Sequence, residues 1–273
     1  MIAFPNAKIN LGLHILSRRT DGFHNIESVL FPISLSDALE VLEAPDRKFS
    51  FTSSGLQIPS DGKPNLCERA FWLLHNEFRI PEVTLHLHKV IPAGSGLGGG
   101  SADAAFTLKM LNQAFSLKLD HSGLETMAAK LGSDCPFFIR NEPMLASGRG
   151  EILKPVSLSL KGLHLLLIRP QVHISTAQAY TGVVPQGPRK ALHEIVAQPI
   201  ESWKEELKND FEKSLFLKYP LLGKIKIKLY ENGALYAAMS GSGSTLFGLF
   251  ESKPEEGLIE TFHDSFVWHE ELN

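Results

Sequence analysis

The chain has 273 residues, 43% of them apolar and 21% charged, enough for one large domain or two modest ones with a buried core. A formal net charge of −3 and scattered Lys and Arg argue against a nucleic-acid partner, and no apolar run approaches the ~18 residues of a membrane-spanning helix. Cys67 and Cys135 are the only cysteines, with no CxxC pair, so a disulfide framework is excluded and a reducing, cytoplasmic setting is expected.

The N-terminal "MIAFPNAKIN" lacks the basic region and long apolar core of a signal peptide, so the chain is expected to be complete there. Lys8, Asn10 and Gly12 share one face of a strand, with Ile9, Leu11 and Leu13 on the other. Taken alone, that segment makes Lys8 an exposed lysine on an edge strand. Residues 44–64 are rich in turn formers, although Phe49 and Phe51 are apolar enough to belong to a strand. Leu66, Ala70, Leu74 and Phe78 fall on one helical face, with Asn65 placed to cap it after Pro64. "VTLHLHK" at 83–89 alternates apolar and polar residues and predicts a half-buried strand. His86 and His88 lie on its polar face at metal-ligand spacing, but no further ligand is evident, so a plain exposed face is expected. Ala104, Leu108, Leu111 and Phe115 step by four, three and four, one face of a helix.

Further turn-rich patches occupy 140–150 and 185–190, and a domain boundary is placed near 150–160. Strand-like runs recur at 163–169, 234–239 and 244–250. Residues 221–229 are open: Ile225, Ile227 and Leu229 alternate, while Leu221, Ile225 and Leu229 suit a helix. The basic "KIKIK" inside this run reads as a solvated face. Strands and helices mixed along the chain give an α+β or α/β class.

Between the strand at 83–89 and the helix from 104, "IPAGSGLGGGSADAA" packs five of the 22 glycines into positions 94–100. The unpaired amides and positive dipole at a helix N-terminus favour an anion, and glycines let the backbone approach phosphate oxygens. No Lys follows as in a P-loop. Gly94-x-Gly96-x-x-Gly99 does fit the dinucleotide pattern, with Asp120 about where a ribose partner belongs. Against this stand the leading Pro92, the continuation through Gly100-Ser101 and the distance from the N-terminus. The loop alone does not decide.

Wider stretches do carry a resemblance. "PAGSGLGGGSADAA" (92–105), "NAKINLGL" (6–13) and "MSGSGSTLFG" (239–248) closely resemble the motifs of the GHMP kinases, small-molecule kinases whose ATP loop differs from the P-loop. "RRTDGFHNIESV" (18–29), "LGSDCPFF" (131–138), "SGRGE" (147–151) and "ISTAQAY" (174–180) are similar to the branch acting on a methylerythritol that carries a cytidine diphosphate. The resemblance implies an α+β fold of two domains, 1–155 and 156–273, with the active-site cleft between them. It implies ATP, with Mg²⁺, as co-substrate for phosphorylating the tertiary 2-hydroxyl of the methylerythritol unit. It also makes 221–229 helical. A cytoplasmic monomer or homodimer with no nucleic-acid or membrane partner is expected.

Residue by residue, the resemblance places Lys8 beside the reacting hydroxyl, where its charge stabilises the alkoxide and the transferring phosphoryl group. Asp134, by its "GSD" setting a turn residue, becomes the general base. The triphosphate lies over Pro92, Ala93, Gly94, Ser95, Gly96, Leu97, Gly98, Gly99, Gly100, Ser101 and Ala102. Ser101 is expected to cap the following helix, or else to touch a phosphate or Mg²⁺. Asp103 is expected in the first helical turn, and Asn65 and Leu66 near the nucleotide. Phe23 stacks on cytosine and His24 bonds its edge, while Thr176 and Tyr180 form the opposite wall, Tyr180 as second stacking partner. The branch more often carries Tyr at Phe23 and Phe at Tyr180, an exchange that keeps stacking but loses the first phenol. Asn10 contacts the substrate near Lys8. No metal ligands are assigned, and Cys135 and the Gly241–Ser244 turn are given no nucleophilic role.

Overall fold

The computed structural model describes residues 1–44, 48–59, 62–187 and 189–273. Parts of two turn-rich segments, 45–47 with 60–61 and residue 188, lie outside the described residues. The chain divides into two compact units, one of Met1–Lys8, Leu35–Ala93 and Gly98–Glu142, the other of Ile9–Ser34, Gly94–Leu97 and Pro143–Asn273.

The first unit holds a four-stranded sheet in the order Ile2–Ala3, Ala38–Glu43, Val83–Lys89, Ser50–Gly55. Val83–Lys89 runs antiparallel to Ala38–Glu43 and parallel to Ser50–Gly55, so the sheet is mixed, unlike the parallel sheet of a dinucleotide fold. The expected alternation holds: Val83, Leu85 and Leu87 are buried. On the opposite face Thr52 and Ser54 bond His86, and Ser54 also bonds His88, at 2.8–3.0 Å. These histidines are spent on a hydroxyl ladder, and among the described residues no three His, Cys, Asp or Glu converge on a metal position.

Two helices cover the buried face. Leu66–Phe78 begins with a capping box, Asn65 and Glu68 satisfying each other's backbone N–H, and buries Cys67, Ala70, Phe71 and Leu74. Gly99–Ala114 buries Ala104, Leu108 and Leu111, while Phe115 falls at its C-terminal cap. The helix His121–Ala129 is capped by Asp120, whose carboxylate accepts from the Gly123 amide at 2.8 Å. Asp120 is therefore a capping residue and not a ribose partner.

In the second unit an antiparallel sheet runs in the order Tyr236–Met239, Leu246–Phe250, His164–Arg169, Phe266–Glu271. The ambiguous run resolves as the helix Pro220–Glu231. Leu222, Ile225 and Leu229 enter the core with Leu166, Ile168 and Leu246, whereas Ile227 is left exposed. The helical period wins because it buries one contiguous stripe, and Lys226 turns to pair with Glu212 at 2.6 Å. The other sheet has the order Asn6–Arg18, His24–Ser36, Met144–Gly148, Ile152–Pro155. Its third strand occupies part of the 140–150 patch expected to be turns. Met144 and Ala146 alternate inward there, a signal short enough to be hidden by Pro143 and the following glycines.

Candidate active site

Lys8 is not an exposed edge residue. It is 3% exposed, with Nζ 3.7 Å from an Asp134 carboxylate oxygen that belongs to a partly exposed side chain. Burial holds the Lys8 ammonium below its ordinary value, and the Asp134 charge pulls it back up. Desolvating an ammonium costs several kcal/mol, and the Asp134 charge offsets part of that cost. Asp134 stands in the turn that leads into the short helix Phe137–Arg140, consistent with its turn-forming sequence.

The N-terminus of the helix Gly99–Ala114 lies next to Lys8. A Cβ on Gly98 would meet the Phe138 ring at 2.9 Å and the Lys8 chain at 3.2 Å, and Gly98 itself has φ +75°. Gly98 is also the N-cap, a residue with no side chain to cap the first amides of this helix. That differs from the capped helices after Asn65, Asp120 and Ser175. An uncapped, glycine-lined N-terminus suits an external anion. Ser101 is thus inside the helix and not its cap. Asn65 and Leu66 stand close by, since a Cβ on Gly100 would touch Leu66 at 3.6 Å.

Residues Gly94–Leu97 belong to the second unit, where they meet the late serine-glycine turn. The Ser240 hydroxyl donates to the Gly96 carbonyl at 2.9 Å, and the Thr245 amide donates to the Ser95 carbonyl at 3.2 Å. A Cβ on Gly96 would fall 2.1 Å from the Ser240 carbonyl oxygen, with φ already +83°. Asn10 is buried on the same turn. Its backbone amide donates to the Ser240 hydroxyl at 3.3 Å, and its side-chain amide donates to Ser28 at 2.8 Å. Three segments widely separated in sequence therefore share one hydrogen-bond network.

The "DGFHN" segment is a tight turn closed by the Arg19 amide on the Phe23 carbonyl and by an Arg19–Asp21 ion pair. It displays Phe23, 54% exposed, with the Arg149 guanidinium 5.1 Å above its ring. His24 stacks directly on Tyr180, the centroids 4.8 Å apart and the planes 17° from parallel. Tyr180 is thus brought against His24. Thr176 begins the short helix that carries Tyr180, its hydroxyl 3.5 Å from that of Ser242.

Comparison with known proteins gives the chain a family. Residues 65–142 match the GHMP kinases N terminal domain, and residues 190–266 match the GHMP kinases C terminal. A 4-diphosphocytidyl-2-C-methyl-D-erythritol kinase of Bacteroides fragilis is 51% identical over 275 residues, covering 100% of both chains. The chain belongs to the GHMP kinases. It is accordingly a small-molecule kinase. Among solved structures, a 4-(cytidine 5'-diphospho)-2C-methyl-D-erythritol kinase is 31% identical with TM-score 0.82, covering 98% of each chain. The mevalonate kinase of Methanococcus jannaschii shares the GHMP kinase fold at 13% identity, TM-score 0.75, covering 100% of this chain and 98% of its own.

Sequence reasoning missed one feature of this GHMP kinase altogether. Asp103 does not sit in the first helical turn at the dipole. It is the fifth residue of its helix, fully inside, and pairs with buried Lys89 at 2.7 Å. Lys89 also bonds buried Asp37, which accepts the Val90 and Ile91 amides at 2.6 and 2.9 Å. Burial pushes the Asp103 carboxyl up to about 7 against the pull of Lys89. Burial acts to lower Lys89, but its two carboxylates outweigh this and raise it. The three charges lie 14 and 52 residues apart in sequence, and no local pattern joins them. They fix the turn from which the glycine loop starts. Cys135, beside Asp134, is buried and pushed up to about 11 by that burial, which leaves it an inert thiol.

Proposed function

We propose that this GHMP kinase transfers the γ-phosphoryl group of ATP, taken as its Mg²⁺ complex, to the 2-hydroxyl of 4-diphosphocytidyl-2-C-methyl-D-erythritol, in the non-mevalonate route to isoprenoid precursors. The observation that carries the reading is identity near one half, along the whole chain, to proteins of that name in Bacteroides fragilis and Cytophaga hutchinsonii. The fold alone supports no acceptor, because the mevalonate kinase shares it.

Phosphoryl transfer asks a protein for positioning and charge more than for covalent chemistry. Asp134 accepts the hydroxyl proton as the oxygen attacks in line. Lys8, 3.7 Å from that carboxylate, offsets the charge on the alkoxide and on the moving phosphoryl group. Residues 92–102 cradle the triphosphate, their amides and the helix dipole doing the work a P-loop lysine does elsewhere. Asn10 contacts the acceptor two residues beyond Lys8. Phe23, His24, Thr176 and Tyr180 receive the cytidine end. The direct His24–Tyr180 stack supports a flat aromatic platform, with cytosine on the open face of one of these rings or on Phe23, and not between His24 and Tyr180. The enzyme acts in the cytoplasm as a monomer or homodimer, without nucleic-acid or membrane partners.

The test is ADP release from ATP and Mg²⁺ with the cytidyl substrate, homoserine, mevalonate or galactose as acceptor. Turnover is expected with the cytidyl substrate alone, and preference for any other acceptor overturns the assignment. Phe23→Ala is expected to raise KM for the cytidyl substrate about five- to tenfold, toward the lower end of what one base–aromatic stack contributes, with KM for ATP unchanged. A change in ATP affinity alone would mean that the two ends are assigned backwards.

A further inference from the structure

The segment "NDFE", residues 209–212, enters none of the roles above, yet it grips the turn that holds the glycine loop. Asn209 is buried, and its side-chain amide donates to the Met239 and Gly241 carbonyls at 2.7 and 2.8 Å. Its own carbonyl oxygen accepts from the Phe211 amide at 3.0 Å, so both ends of the side chain are used. Glu212, one helical turn on, accepts the Met239 amide at 2.8 Å while its other oxygen is neutralised by Lys226 at 2.6 Å. Met239 is therefore held at its N–H and its C=O from one short stretch of chain.

What these bonds fix is the residue between them. Ser240 donates to the Gly96 carbonyl, and its own carbonyl is the atom that leaves room only for a hydrogen on Gly96. A buried side-chain amide facing two carbonyls is costly unless both bonds form, so the arrangement permits little play in the turn. We propose that Asn209 is a positioning residue for the nucleotide, setting ATP affinity by holding Met239–Gly241 so that Ser240 can fix Gly96, with Glu212 as its second anchor. The proposal rests on the reading of residues 92–102 as the ATP cradle.

Asn209→Asp tests it. The carboxylate keeps the volume and the acceptor for Phe211, but turns an oxygen toward two carbonyl oxygens. ADP binding measured by calorimetry, which needs no acceptor, is expected to weaken about tenfold or more, because the bonds to Met239 and Gly241 are both lost. KM for ATP should rise in parallel and KM for the acceptor should not. Wild-type ADP affinity, an equal rise in both KM values, or a fall in kcat alone overturns the proposal. Should Asn209→Asp fail to fold, Ser240→Ala breaks the next bond in the same relay, and unchanged ADP affinity there overturns it equally. A wild-type protein that binds ADP but phosphorylates none of the four acceptors overturns the proposed function and leaves this inference standing.

Discussion

Asp134→Asn is expected to lower turnover by roughly 10²-fold or more, the range for removing a general base, while ATP and acceptor bind nearly as before. The substitution keeps the size of the side chain and one oxygen near Lys8, so the turn before Phe137–Arg140 has no reason to rearrange. What disappears is the ability to take a proton and the negative charge beside a buried ammonium. With its partner neutral, Lys8 loses the influence that raises its proton affinity, and burial, which lowers it, acts unopposed by Asp134. The pH profile of the residual activity should therefore fall off on the alkaline side at a lower pH than in the wild type. Single-turnover measurements with saturating ATP would separate this from a binding defect. Wild-type turnover in the variant would take Asp134 out of the mechanism.

Gly96→Ala should be nearly as damaging, by a different route. A Cβ placed 2.1 Å from a backbone carbonyl oxygen cannot be relieved by rotating a side chain, because the obstacle is the main chain of the Ser240 turn. The φ of +83° adds strain of about 1–3 kcal/mol for a residue other than glycine. The loop or the turn must move, and ATP affinity is expected to fall roughly 10- to 100-fold, matching that strain. Gly257→Ala is the control, since nothing lies within 4 Å of the added methyl and the site is an exposed helix. Equal ADP affinity in the two variants would show that the 96–240 contact does not govern the nucleotide.

Local elements were the legible part of this chain. The helix at 66–78 announces itself because its cap and its apolar stripe lie within fourteen residues, and Val83–Lys89 because alternation is a property of consecutive residues. Residues 221–229 resisted because lysines alternate with isoleucines on a helix that also carries an apolar stripe; burial against Leu166 and Ile168 chooses the helical period, and the stripe starts at Leu222, since Leu221 is exposed. The burial of Lys8 could not be read at all. Solvent exposure is decided by which segments arrive from elsewhere, here Gly98 of the glycine loop and Asp134 from beyond its helix. The same holds for Asn209, whose partners lie about thirty residues away. His24 against Tyr180 joins residues too far apart for any sequence pattern to pair. Motif resemblance supplied the family, and geometry supplied the bonds that make its motifs work together.

The buried trio of Asp37, Lys89 and Asp103 bears on how this sequence can drift. Replacing all three charges by apolar residues of matching volume would recover the desolvation that the ion pairs cost, provided the Val90 and Ile91 amides now bonded to Asp37 found other partners. Every path to that state nevertheless passes through a protein with an uncompensated charge in its interior. Such a state is about 3–5 kcal/mol less stable, a large share of the 5–15 kcal/mol that holds a typical domain together. The trio is thus trapped by its neighbours on the mutational landscape, and would persist even if a better core existed three substitutions away.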